Sequence, residues 1–207
     1  MSTIKDIGDL FVSGDFKPLC LEGREQKLTF AIYMIDDYTA SLPEGRIDLR
    51  ISRGGERPVR NRDGYYCFLN LADGQYTVEI SSAFYLREKT TVNTATLKEK
   101  KPVIVVRLKP APSYPFPSYA TLLRGMLKEG TEPAGDANVT VEATDGSGFT
   151  LNTKTAGNGE FVIYIKPPKV KRVRVEFKRD GKTAIKEVNI EKKVGETVSL
   201  GIVELSN

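Results

Sequence analysis

Few residues in this 207-residue chain have types and spacings that could do chemistry. Two aspartates stand side by side in 35-IDDYT-39, a third opens 145-DGSG-148, and Asn158 lies in 157-GNGE-160. Neighbouring residues on a strand point to opposite faces, so Asp36 and Asp37 could reach one metal only at a turn. A calcium loop needs further oxygen ligands at regular spacing, and the D-x-[DN]-x-[DN]-G arrangement is absent. Turn-forming aspartates are the expectation at these positions. Gly146 and Gly148 make no phosphate loop, because no Lys-Ser/Thr pair follows them.

Histidine is absent altogether. That excludes Ser-His-Asp and Cys-His catalysis, His-containing zinc sites and the usual general base near neutral pH. The two cysteines, Cys20 and Cys67, are too few for a Cys₄ site within the chain. No catalytic residue, no metal ligand and no cofactor is expected, and the chain reads as a non-enzyme. Cys67 lies beside Phe68 and is expected to be a buried structural thiol. The cysteines read as free thiols in a reducing compartment, with a single bridge as the other reading. The opening MSTIKDIGDLFVSGDF lacks a basic-then-apolar export pattern, and no apolar run approaches the roughly 18 residues that span a bilayer. The expected location is therefore cytoplasmic, without a membrane partner.

The net charge of +4 is mildly basic. One arginine-rich set, Arg46 to Arg62, is interrupted by acids. A second runs from Lys166 to Lys182 with few acids among its members. On the alternating segment 172–178, Arg172, Arg174 and Lys178 share the outward face. Such a face could attract a polyanion, but no stacking aromatics interleave with it as single-strand binding would want. A solvated or edge-protecting face is expected ahead of nucleic acid, and an acidic protein surface would suit the same charges. Of Tyr65 and Tyr66, one is expected inside and the other outside, because neighbours on a strand alternate.

The elements that must position these residues read as β throughout. Period-two alternation marks 46-RIDLRIS-52, 75-QYTVEIS-81, 137-ANVTVEA-143 and 172-RVRVEFK-178 as half-buried antiparallel strands. Two halves repeat one order: an opening strand (from 29 and from 121), a polar turn with Pro43/Gly45 or Pro133/Gly135, then an alternating strand. Glycine-led strands follow, 64-GYYCFLNL-71 and 159-GEFVIYI-165, and each half closes on an apolar strand, 103-VIVVRLK-109 or 198-VSLGIVEL-205. Glycines 64, 74, 157, 159 and 181 fit turns with positive φ. The fold class expected is all-β: two tandem antiparallel, Ig-like β-sandwiches over residues 24–109 and 119–207.

Between the halves lies 110-PAPSYPFPSYATLLRG-125. Its prolines block ladder pairing and favour stiff, extended backbone, so 110–118 is expected to be a linker that restricts the interdomain angle. Its aromatics, Tyr114 and Phe116 with Tyr119 just beyond, are expected to pack into the seam or to meet a partner. Residues 1–23 form an N-terminal arm. Ile4, Ile7, Leu10 and Phe11 fall at helical spacing, and the arm either folds against its own domain or docks on a partner.

The second half resembles the carboxypeptidase regulatory-like domain, a transthyretin-like (prealbumin-like) β-sandwich. The residues that carry the likeness are Gly125, Pro133, Gly135, 139-VTV-141, 153-TKTAGNGEFVI-163 and 201-GIVEL-205. The first half is similar more loosely, through 43-PEG-45, 64-GYYCF-68 and 73-DGQYTVEI-80, with Tyr33 where that family has glycine. The resemblance implies a binding or structural module and no chemistry. The stretch 111–125 ahead of such a domain also resembles accessory proteins of phage-tail-like contractile particles. The reading reached is a non-enzymatic protein-binding adaptor or structural subunit of a larger assembly. Its candidate contacts are Ile7, Leu10, Phe11, Tyr114, Phe116, Tyr119, Arg172, Arg174 and Lys178. The alternative is a carbohydrate- or polyanion-binding β-sandwich protein. The sequence leaves the oligomeric state and the partner's identity open.

Overall fold

The structure, a computed structural model, describes residues 26–52, 54–97, 102–166 and 170–206. The arm residues Ile7, Leu10 and Phe11 and the thiol of Cys20 lie outside them. Among the described residues the chain is all-β, with a single 3-10 turn at Thr94–Thr96.

The alternating segments fold as their spacing requires. In β2 (Ile47–Ile51) and β5 (Gln75–Ser82) the buried positions are Leu49, Ile51, Val78 and Ile80. In β10 (Asn138–Ala143) and β13 (Arg172–Arg179), Val139, Val141, Val173, Val175 and Phe177 point inward. The remaining strands fall into place around them. The first four-stranded sheet has the order β3 (Val59–Arg60), β4 (Tyr66–Leu69), β1 (Leu28–Asp36) and β7 (Val103–Leu108). It faces a three-stranded sheet of β2, β5 and β6 (Glu88–Asn93). Between them lies one core, built on Phe30, Ile32, Met34, Phe68, Val78 and Leu108. A second core lies between two further sheets. One runs β11 (Thr150–Lys154), β10, β13, β14 (Lys182–Asn189); the other runs β12 (Glu160–Ile165), β8 (Thr121–Glu129), β15 (Thr197–Glu204), with β9 (Glu132–Pro133) attached to β8. Its centre is Leu123, Leu127, Phe161, Ile163, Val175 and Phe177.

Most pairings are antiparallel, but the closing strand of each half runs parallel to the opening one. Ala31 to Asp36 pair in step with Val103 to Leu108, and β15 follows β8 in the same sense across an irregularity at Ser199/Gly201. Three of the five turn glycines named above adopt positive φ: Gly64 (+88°), Gly159 (+80°) and Gly181 (+81°). Gly74 and Gly157 do not, so their turns need no left-handed residue at those places.

Tyr66 is buried and Tyr65 faces outward and packs on Tyr33, with ring centroids 4.9 Å apart. Cys67 corrects an expectation. It is half-buried on the outer face, because Tyr66 and Phe68 take the inward positions of this strand and Cys67 lies between them. Pairing opposite Ala31, it has no core side chain over it.

Candidate functional site

Asp36 closes β1 and Asp37 follows it, and their opposite orientations latch two parts of the molecule together. Asp36 ends a strand whose inward positions are Phe30, Ile32 and Met34, so its carboxylate continues that row into the core and is 0% exposed. A buried carboxylate must be hydrogen-bonded, and this one is. Its Oδ1 accepts from the backbone amides of Tyr38 (2.7 Å) and Thr39 (3.1 Å), which is the turn-forming role expected for it. Its Oδ2 accepts from two phenols, Tyr85 (2.8 Å) and Tyr114 (2.6 Å), a pairing with Asp36 that the sequence did not indicate. The amide of Glu44 in turn donates to the Tyr85 hydroxyl (2.9 Å). Asp37 points the other way. Its Oδ2 accepts from the Tyr164 hydroxyl on β12 at 2.7 Å, and its carbonyl accepts from Lys166 Nζ at 2.9 Å.

Around the two carboxylates the aromatic rings pack edge to face. Tyr38 lies 5.9 Å from Tyr114, 5.0 Å from Phe116 and 5.2 Å from Tyr164, centroid to centroid. Tyr114 and Phe116 are 4.6 Å apart. Arg124 Nη1 donates to the Pro112 carbonyl at 2.7 Å and its guanidinium lies 5.9 Å from the Phe116 ring. Lys166 Nζ stands 5.4 Å from both the Tyr38 and Tyr164 rings. The stretch from Pro112 to Phe116 is thus held by ring packing and hydrogen bonds. Tyr114 is 5% exposed and Phe116 half-buried, whereas Tyr119 stands 77% exposed at the seam's edge. Tyr119 and Tyr38, with Thr121, Ile165, Lys166 and Val194, line a recess of about 300 Å³.

The electrostatics favour a lock over a reactive centre. Burial raises the Tyr85, Tyr114 and Tyr164 hydroxyls above the ordinary tyrosine range, and the hydrogen-bonded aspartates push them the same way. Tyr38 is raised too, by burial and then by Tyr119 and Asp36. A raised folded value means that the neutral phenol belongs to the native state. Its stabilisation is complete below the ordinary tyrosine value of about 10 and is lost as pH climbs through the raised values. The fold should therefore resist mild alkali and then unfold cooperatively, with these four tyrosines ionising as it opens. Phenolate absorbance followed against pH checks this. Smooth ionisation of all nine tyrosines near pH 10 in a still-folded chain would contradict it.

The other candidates lie elsewhere. Asp145 is held down to about 2, chiefly by the amide of Lys171 and then by Ser147, and so ties its own loop to the start of β13. Arg172, Arg174 and Lys178 project from the outer face of the β11-β10-β13-β14 sheet, apart from the linker aromatics. There Arg174 sits in register between Glu142 and Glu187, and Lys178 pairs with Glu176 at 3.1 Å. Among the described residues no group of three or more His, Cys, Asp or Glu side chains could hold a metal ion, and no helix is long and apolar enough to cross a membrane.

Two facing sheet pairs, each around its own apolar core, make this a β-sandwich protein. No family model and no curated protein matches the chain. Among solved structures it is similar to the Bacillus anthracis TIE protein, at 17% identity over 87% of this chain and 34% of the other, with a TM-score of 0.31. It is also similar to a streptococcal ancillary pilin (12% identity, 87% and 62% covered, TM-score 0.31) and to BcpA, the major pilin subunit of Bacillus cereus (8%, 88% and 100%, TM-score 0.32). The chain thus spans about a third and about three-fifths of the length of the first two. The cytoplasmic location expected from the sequence is corrected and not retained: the solved structures it is similar to are titled as pilins. The expectation rested on two cysteines and the composition of the opening residues, and a chain with so few thiols suits an oxidising compartment equally well.

Proposed function

We propose that this protein is a non-enzymatic binding module, a structural or adaptor subunit that presents a rigid surface to another protein. The observation that carries this reading is the seam recess. Tyr119 and Val194 stand 77% and 61% exposed beside Tyr38 and Lys166, on backbone held by the Asp36 and Asp37 latches. An exposed aromatic anchor on a pre-organised concave surface is the usual chemistry of a protein-binding hot spot. The division into two sandwiches, residues 24–109 and 119–207, belongs to the same reading and draws support from two cores that share no residue. So does membership of a larger assembly of the phage-tail-like type, which rests on the resemblance of 111–125 alone. The likeness of the second half to carboxypeptidase regulatory-like domains is part of the reading too.

The test is capture of partners from the source cells by the intact chain and by Tyr119→Ala. A stoichiometric protein partner lost on Tyr119→Ala supports the reading. Retention of the partner by the variant removes the recess from the interface. No protein partner, with glycan binding that Tyr119→Ala abolishes, would favour the carbohydrate reading, which the stacking face of Tyr119 also suits. A polyanion reading is disfavoured because Glu142, Glu176 and Glu187 interleave with Arg174 and Lys178 on their sheet.

A further inference from the structure

The recess beside Tyr119 opens onto one end of the second core. Its floor is Ile165, Val170 and Ile190, all buried and all members of the cluster that holds Val173 and Phe177. Tyr119 and Val194 border that floor and are the two most exposed large apolar side chains among the described residues. The rim is fixed before anything enters. The Gly195 amide donates to Thr121 Oγ1 at 2.8 Å, and the Lys193 amide donates to the Ile190 carbonyl at 2.9 Å. Lys193 Nζ also pairs with Glu196 at 2.9 Å, so the turn that carries Val194 is tied to β8 and to itself. At about 300 Å³ the recess has room for one or two residues of a chain and not for a folded element.

The polar side chains of the recess are of one kind. They are Lys166 and the hydroxyl-bearing Tyr38, Tyr119 and Thr121; each can donate a hydrogen bond, and no carboxylate is among them. Lys166 is the one charged group among the described lining residues. Its Nζ is held at the seam by the Asp37 carbonyl (2.9 Å), a neutral acceptor that takes one of its three N–H groups. The Asp37 carboxylate is engaged elsewhere, by the Tyr164 hydroxyl at 2.7 Å and by Arg107 at 3.9 Å. The ammonium thus keeps its charge and two donors for an anion, and a charge-assisted bond of that kind is a strong one.

We infer that the recess takes the C-terminal residue of a partner chain, its free carboxylate on Lys166 and an apolar side chain of about leucine size on Ile165, Val170 and Ile190. The inference rests on the proposal above that Tyr119 marks a protein-binding surface. Cation and floor adjoin, because Lys166 directly follows Ile165. A C-terminal residue carries carboxylate and side chain on one Cα, so it presents both within that short separation. An acidic residue inside an extended segment does not, since its apolar neighbours point to the opposite side. A carboxylate only accepts hydrogen bonds, which suits a lining of donors. A chain end also enters a concavity that a continuous segment would bridge.

The probe is the tripeptide N-acetyl-Ala-Ala-Leu, as free acid and as amide, titrated at millimolar concentration into the full-length chain and followed by amide NMR shifts. The amides of Lys166 and Gly195 should move, and the acid should bind about tenfold or more tighter than the amide. Lys166→Met should bring that ratio close to one, whereas Lys166→Arg, which keeps the charge, should preserve most of it. Equal affinity of acid and amide, an unchanged ratio in Lys166→Met, or no shift at either amide would overturn the inference. Should Lys166→Met lose its spectral dispersion, the salt dependence of the unaltered chain decides. About 1 M NaCl should weaken the acid and leave the amide unchanged, and an acid insensitive to salt overturns the inference. The two readings fail separately. Partner capture that depends on Tyr119, with no preference for the acid, sinks this inference alone. A preference for the acid with no captured protein leaves the carboxylate site standing and sinks the reading it rests on.

Discussion

Replacing Asp36 by alanine should lower folding stability by about 3–5 kcal/mol, the range for breaking a buried hydrogen-bonded charge. The substitution removes one carboxylate and strands four donors: the amides of Tyr38 and Thr39 and the hydroxyls of Tyr85 and Tyr114. Tyr114→Phe removes one donor and leaves the acceptor satisfied by three others, so a loss of about 1 kcal/mol is expected. The double substitution should then cost less than the sum, because Tyr114 has no carboxylate left to lose. Urea unfolding of the three variants measures this. A loss below 1 kcal/mol for Asp36→Ala would mean that the latch contributes little to the fold.

The second large effect is expected at Gly159, which leads into β12. Its φ of +80° is a left-handed backbone that other residues rarely adopt, and a Cβ there would sit 2.6 Å from the Leu127 carbonyl oxygen and 3.1 Å from the Ala134 amide nitrogen. That carbonyl and amide belong to the pairing of β8 with the turn before β10, so neither can move aside cheaply. Gly159→Ala should therefore cost about 2–4 kcal/mol through strain and displaced backbone. Hydrogen exchange read strand by strand also tests the proposed division into two sandwiches. Amides of β10 and β13 should exchange faster in the variant while those of β1 and β5 keep their protection. Equal acceleration in both sets would make the chain one cooperative unit.

What could be read from the sequence was what depends on near neighbours. Alternation put Val173, Val175 and Phe177 inward because period two is a local property of the strand, and Asp36 and Asp37 were placed on opposite faces for the same reason. Their partners were out of reach, since Tyr85, Tyr114 and Tyr164 lie 49, 78 and 127 residues from the aspartates they bond. The strands β6, β11 and β14 escaped because their inward rows mix in polar or small residues, Thr90 beside Val92, Thr153 beside Leu151, and Ala184. In β14, Ile185 projects outward beside charged neighbours and hides the alternation. Cys67 was misjudged from an apolar neighbour in sequence, when its face depended on which of Tyr66 and Cys67 met the core.

The in-step pairing of β1 with β7, and of β8 with β15, sets how the molecule answers a pull. Tension entering at Leu28 and leaving through Glu204 draws β1 by its start and β7 by its end. The two strands are parallel, so they are loaded in shear and their hydrogen bonds resist together instead of opening one at a time. The same holds for β8 and β15. A chain wired in this way yields late under stretching and then yields abruptly.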